Sequence, residues 1–520
     1  MSTSDLFAQA IADEFPHEFT PHQMMAASRI GAFLADPRDN QAFILRGYAG
    51  TGKTSLVAAV VRVWQRLDRP VVLLAPTGRA AKVLSMHAGI PAFTIHKIIY
   101  RQDTFKGEDT RFDRGWNPAK EALFIVDEAS MIPSDRNAPA WSGNFGEGGG
   151  GVPLFGQGNL LEDLIHFVYS GRNCRMMFVG DTAQLPPVGD NESPALRPSA
   201  LKPYGLDVTG AQLTEVVRQE SVSPVLREAT KLRQRIAELS DPRSTTRQQM
   251  AGNAGSTSSA ITAGAAPSGL AVLDISGEGL EVTPGSELID ALEMAYRNWG
   301  TEQTIVVTRS NKRANIFNNG IRARIFDRED VLTRGDLVMA VKNNYYWTAE
   351  AQAELPKGEL LPMAFIANGD SAEVVRFRNV HEMHGFTFAD ATLRFYDYDD
   401  LELDCRILID TLNSESPSLT REEQKRLFDS VLLDYSDIKN ERERMKAVRK
   451  DPYYNALQIK YAYAVTCHKA QGGQWHEVFV DQGYLPDDLD PVSYLRWLYT
   501  AFTRTSENLY LVNWPQNQIE

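Results

Sequence analysis

The sequence predicts an α/β protein with two parallel-sheet units, the second interrupted by a small β-barrel, and a short β-hairpin inserted in the first. Three observations carry that expectation. Apolar runs of buried-strand length at 42–45 and 71–75 alternate with helix-periodic stretches at 53–67 and 78–86, the pattern of a parallel sheet with crossover helices. The alternation restarts after residue 270, with a helical pattern at 287–298, a strand at 304–307 and a helix at 312–326. Between 331 and 398, short runs at 336–341, 371–377 and 391–396 are separated by Gly and Asn turns, as in a small barrel.

The elements follow in order. Residues 1–40 read as helices, with Thr20 as N-cap and Pro21 at the first helical position. Polar and aromatic residues alternate over 100–119 around Lys106-Gly107-Glu108-Asp109, which marks the hairpin. Strands resume at 122–126 and 175–179, separated by a glycine-rich stretch at 141–158 expected to be a mobile loop. Residues 240–267 are Ser, Thr, Ala and Gly with almost no large apolar side chain, so they cannot offset the entropy of ordering and are expected to form a disordered linker or loop. The charged helical stretch at 420–449 is expected to project into solvent, and the second sheet to return at 458–464, 478–481 and 509–512. The domains expected are 1–239 for the helices and first unit, 268–330 and 456–520 for the two parts of the second unit, and 331–455 for the barrel with its helical projection.

Composition narrows the function classes. The chain has 520 residues, 43% hydrophobic and 23% charged, and no apolar run approaches membrane-spanning length, so no membrane role is expected. Residues 1–19 lack the basic start and apolar core of a signal peptide, which leads to a cytoplasmic expectation. Cys174, Cys405 and Cys467 are far apart and form no Cys-x-x-Cys pair, which argues against a disulfide framework or a zinc site. The net charge of −13 argues against a global polyanion binder, so any nucleic-acid site must be a local groove.

The chemistry begins at Gly47-Tyr48-Ala49-Gly50-Thr51-Gly52-Lys53-Thr54, a complete G-x-x-x-x-G-K-[ST] phosphate loop between a strand and a helix. The backbone of Gly47, Ala49, Gly50, Thr51 and Gly52 would wrap phosphate oxygens, Lys53 would reach the β and γ phosphates, and Thr54 would place its hydroxyl on Mg²⁺. The apolar strand ending in Asp127-Glu128 has the form of the acidic partner, Asp127 holding the metal and Glu128 taking a proton from the attacking water. A third strand leads into Gly180-Asp181-Thr182-Ala183-Gln184-Leu185-Pro186-Pro187, where Gln184 can sense the γ-phosphate or orient water.

The order and wording of these elements resemble a superfamily 1 helicase. Residues 75–81 resemble its motif Ia, 94–97 motif Ib, 213–219 motif IV, 463–472 motif V and 498–504 motif VI, and Phe19-Thr20-Pro21-His22-Gln23 resembles the Q motif. The wording is most similar to the RecD-like and Dda-like branch. The resemblance implies two RecA-like P-loop domains, an SH3-like barrel insertion, ATP and Mg²⁺ as cofactors, and 5′→3′ translocation on single-stranded DNA toward single-strand/duplex junctions, by a monomer. It implies that Gln23 meets the adenine edge and that Arg218 and Arg504 act as cationic fingers, each with a structural ion pair as the alternative. Thr77, His96, Thr466 and His468 are implied strand contacts, and the hairpin would be the duplex-splitting pin, with Phe105 or Phe112 either stacking on the last base pair or packing the hairpin down. Tyr345, Tyr346 and Trp347 are stacking groups or barrel core. Gln474 departs from the family, which usually places a Glu there. An RNA helicase of a neighbouring branch and a strand-stimulated clamp that does not unwind are the alternative functions.

Overall fold

The computed structural model describes residues 2–102, 112–133, 159–215, 223–240, 270–356, 358–363 and 365–520; the side chains of 101, 102, 112 and 113 are outside the description. Two parallel sheets and a closed barrel make up the framework. The first sheet is built from β1 (Gln41–Gly47), β2 (Val71–Ala75), β3 (Ala92–Thr94), β6 (Leu123–Val126), β7 (Arg175–Gly180) and β8 (Asp207–Leu213), in the order β3-β2-β6-β7-β1-β8. Its central strands are apolar on both faces because helices cover both, which is why they read as continuous runs and not as alternating ones. One face packs on Leu56, Val60 and Trp64 of the helix Lys53–Arg66, the other on Leu161, Leu164 and Phe167 of the helix Leu160–Ser170.

β4 (Tyr100–Gln102) and β5 (Phe112–Arg114) pair antiparallel between β3 and β6, where the sequence expects the hairpin. Its tip, with Phe105, lies outside the described residues, as do Arg218, the stretch 141–158 and all of the stretch 240–267 after Ser240.

The second sheet contains β9 (Leu280–Thr283), β10 (Thr304–Thr308), β16 (Ala464–Thr466), β17 (Trp475–Asp481) and β18 (Thr505–Val512), in the order β16-β10-β17-β18-β9, all parallel. The barrel closes through β11 (Leu337–Ala340), β12 (Ser371–Met383), β13 (Phe386–Phe395), β14 (Leu401–Leu408) and β15 (Leu457–Tyr461).

Three differences from the sequence reading follow from packing. Residues 458–464 were expected to rejoin the second sheet, yet β15 pairs antiparallel with β11 and parallel with β14, and only β16 reaches the sheet. A fully buried strand looks the same in sequence whether it closes a barrel or extends a sheet. The helices Arg421–Asp434 and Glu441–Arg449 are no free projection: Leu427, Val431 and Val448 pack on Phe386, Phe388 and Leu408 of the barrel. The helix Pro224–Ser240, expected in the first unit, places Val225, Ala229, Leu232 and Ile236 in the core of the second.

The barrel also rests on the first sheet's helices. Lys82 Nζ donates to the Tyr396 carbonyl at 2.6 Å and Lys97 Nζ to that of Pro362 at 2.7 Å. A side chain at Gly78 would overlap the Tyr398 hydroxyl, so the glycine permits this close approach.

Candidate nucleotide site between the two sheets

β1 delivers the phosphate loop and the helix starting at Lys53 leaves it, with Gly52 as a left-handed N-cap at φ 78°. A Cβ at Gly47 would lie 2.7 Å from Lys53 Cγ and 2.8 Å from Thr51 Oγ1, so only glycine lets the lysine pass. Lys53 Nζ donates to the Tyr48 carbonyl at 2.9 Å, and Thr51 Oγ1 donates to the same oxygen at 2.8 Å. Thr54 follows in the first turn, partly exposed.

Gln23 is buried behind the loop. Its Oε1 accepts the Thr20 N–H at 3.0 Å in a capping box, and its Nε2 donates to the Thr51 carbonyl at 3.1 Å, so its amide links the helix Pro21–Ala35 to the loop. Near it, the helix N-terminus meets the end of β8: His22 N–H donates to Glu215, and the His22 ring bonds the Thr214 hydroxyl at 2.6 Å.

Asp127 and Glu128 leave β6 at the same sheet edge, Asp127 Oδ1 accepting the Glu128 N–H at 2.8 Å. Burial raises the pKa of Asp127, Glu128 and Asp181 alike. Lys53 pulls all three back, and Arg504 does the same for Glu128 and Asp181. Burial disfavours all three as anions, and the nearby cations offset part of that cost. Gln184 is 6% exposed, and its Oε1 finds no hydrogen-bond partner among the described residues. An orphaned buried acceptor beside a phosphate loop fits a ligand or ordered water.

The opposite wall comes from the helix Pro491–Phe502 and the residues after it. Arg504 Nε donates to the Thr500 carbonyl at 3.0 Å, Nη1 to that of Gly473 at 3.1 Å, and Nη2 to Thr503 Oγ1 at 3.0 Å. All three acceptors are neutral, so these bonds aim the guanidinium without neutralising it.

The implied strand contacts divide. Thr77 caps the helix Gly78–Ala88, its Oγ1 accepting the Ala80 N–H, and a Cβ on Gly472 would stand 3.2 Å from that oxygen, so motifs Ia and V meet. Thr466 precedes the short helix Cys467–Ala470, with His468 exposed on it. His96 is set apart: it is 4% exposed, packed against Tyr100 and Phe365, and burial lowers its pKa to about 3. That places it in an aromatic core and not on an open face, because the barrel loop carrying Phe365 covers it. Tyr345 packs at a tilt against Phe365, ring centroids 4.7 Å apart, and Trp347 Nε1 donates to the Asn455 carbonyl, so both serve packing.

Reasoning from sequence missed the contacts that join the two walls. Tyr499, Thr500 and Gln471 bond the first unit across the cleft, and Arg79 donates to the Gln474 carbonyl at 2.8 Å while lying over the Trp475 ring. The only signal was the presence of polar side chains inside otherwise apolar stretches.

Among proteins of known sequence, residues 27–139 match the AAA domain family and residues 461–512 the UvrD-like helicase C-terminal domain. The ATP-dependent RecD2 DNA helicase of Deinococcus radiodurans is 32% identical over 187 residues, 36% of this chain and 21% of RecD2, so the match spans about a fifth of that relative. The ATP-dependent DNA helicase dda of phage T4 is 29% identical over 194 residues, 36% of this chain and 37% of the relative. A Bacteroides Pif1 helicase structure aligns over 96% of this chain and 94% of its own at a TM-score of 0.42 and 14% identity. The chain is thus similar to an AAA domain over residues 27–139, to a UvrD-like helicase C-terminal domain over residues 461–512, and over about a third of its length to two ATP-dependent DNA helicases.

Proposed function

We propose that the protein hydrolyses ATP with Mg²⁺ and couples each cycle to 5′→3′ movement along single-stranded DNA, unwinding the duplex it meets. The observation that carries this reading is the cleft itself, with Lys53, Asp127, Glu128 and Gln184 on one sheet and Arg504 on the other. Thr54 and Asp127 would hold the metal, which supplies charge neutralisation to the phosphates when bound. Lys53 would leave the Tyr48 carbonyl for the β and γ phosphates, and Glu128 would take the proton of the attacking water. Arg504, already oriented by Thr500 and Gly473, would meet charge that develops on the γ-phosphate, joined by Arg218. Closure on the nucleotide and release after hydrolysis would then change the spacing of the motif Ia and motif V ends, where Thr77 and Gly472 adjoin and a strand would be gripped.

Duplexes with a 5′ or a 3′ single-stranded tail, ATP and Mg²⁺, with a Lys53→Ala control, test this reading. Unwinding from the 5′ tail that the control abolishes is expected. Unwinding from the 3′ tail alone would reverse the direction, and ATP hydrolysis indifferent to single-stranded DNA would remove the coupling.

A further inference from the structure

Tyr499 is 1% exposed on the helix Pro491–Phe502, and its hydroxyl reaches across the cleft. It accepts the Ala49 N–H of the phosphate loop at 3.0 Å and donates to Asp181 Oδ2 at 2.5 Å. Asp181 is fixed from its other oxygen, Oδ1 accepting the Ala183 N–H at 2.9 Å. One residue on, Thr500 Oγ1 accepts the Leu185 N–H at 2.9 Å, and Gln471 Nε2 donates to the Leu185 carbonyl at 2.8 Å. The segment that carries Gln184 is therefore held by three side chains of the second unit. The Thr500 carbonyl in turn accepts from Arg504. Beside these bonds, the Tyr48 ring lies 4.2 Å from the Arg233 guanidinium, so two successive residues of the loop are held from the second unit.

A buried tyrosine needs a partner for its hydroxyl, and any carbonyl would serve. Here the two partners are an amide of the phosphate loop and the carboxylate that opens the Gln184 segment. Ala49 N–H belongs to the set of amides that phosphate oxygens accept from, so nucleotide and tyrosine hydroxyl compete for it. We infer that Tyr499 is a positioning residue that reports the occupancy of the phosphate loop to the helix Pro491–Phe502 and thereby to Arg504. Occupancy takes the Ala49 N–H from the hydroxyl and leaves it to Asp181 alone, which frees the helix to follow the Gln184 segment and not the loop. This rests on the ATPase reading above.

The test is Tyr499→Phe, which keeps the ring and removes only the hydroxyl. Because a competitor for Ala49 N–H is lost, KM for ATP is expected to stay within twofold or fall, while kcat in the presence of single-stranded DNA drops about tenfold, the size of one lost oriented bond. Adding Asp181→Asn to it should lower kcat no further than the more damaging single change, since the two act through one bond. Unchanged kcat overturns the inference, as does a rise in KM of fivefold or more in step with weaker binding of a fluorescent ADP analogue, which is the signature of a merely structural role. Should Tyr499→Phe fail to fold, Thr500→Val removes the neighbouring bond to Leu185 and is judged by the same separation of kcat from KM. A wild-type enzyme that hydrolyses ATP without stimulation by DNA would overturn the DNA coupling alone, and the kcat and KM comparison would then be made on the unstimulated rate.

Discussion

Replacing Arg504 with alanine should affect the rate and the pH dependence of hydrolysis by separate routes. The side chain is 3% exposed, and its three hydrogen bonds end on neutral oxygens of Thr500, Gly473 and Thr503, so its full charge is directed at the cleft. Losing a cationic finger at developing phosphate charge costs about 10³–10⁵ in kcat. The second effect passes through Glu128, whose carboxyl is pushed up by burial and pulled back by Arg504 ahead of Lys53. Glu128 accepts a proton only when ionised, so hydrolysis climbs with pH through its pKa. Removing Arg504 raises that pKa and moves the acidic limb of kcat to higher pH. Arg504→Lys restores the charge without the three-pronged geometry, so it should return the limb to its wild-type position but recover only part of the rate. Steady-state hydrolysis between about pH 5.5 and 9, with saturating single-stranded DNA, measures both. A loss below tenfold, or a limb that moves to lower pH, would refute the reasoning.

Asp370 in the barrel accepts from the Ala367 N–H and the Tyr398 hydroxyl, and burial raises its pKa from 3.8 to about 7. The folded state therefore holds the proton better than the unfolded one, and stability falls as pH rises from about 4 to about 7, by at most about 4 kcal/mol. Asp370→Asn should melt at a higher temperature relative to wild type at pH 8 than at pH 5, and a difference independent of pH would count against the burial argument. Gln23→Ala removes the capping partner of Thr20 and the donor to the Thr51 carbonyl, so it should cost about 1–2 kcal/mol of stability and raise KM for ATP several-fold, as read by thermal melting and steady-state kinetics.

Local patterns announced much of the site. Residues 47–54 are legible because a phosphate loop is one continuous segment whose glycines answer to backbone geometry, and Gly52 does take the left-handed conformation. Asp127 and Glu128 were legible as the end of an apolar strand, since a parallel sheet delivers its strand ends to one edge. His96 was not, because its fate depends on Phe365, some 270 residues away, folding over it. The same holds for β15, whose five buried residues suit a barrel or a sheet equally until β11 and β14 are in place.

By itself, then, the sequence determined that there are two parallel-sheet units, that one carries a phosphate loop with its acidic partner, and that a barrel and a hairpin interrupt them. All of these are encoded in periodicity and short motifs, which act over a few residues. The tertiary structure alone decided which helices serve which core, that the barrel rests on the motif Ia helix, and that Tyr499, Thr500 and Gln471 tie the two walls of the cleft together. Those outcomes are set by hydrogen bonds between groups some 290–450 residues apart, and a buried hydroxyl acquires its role only from the partner that folding brings to it.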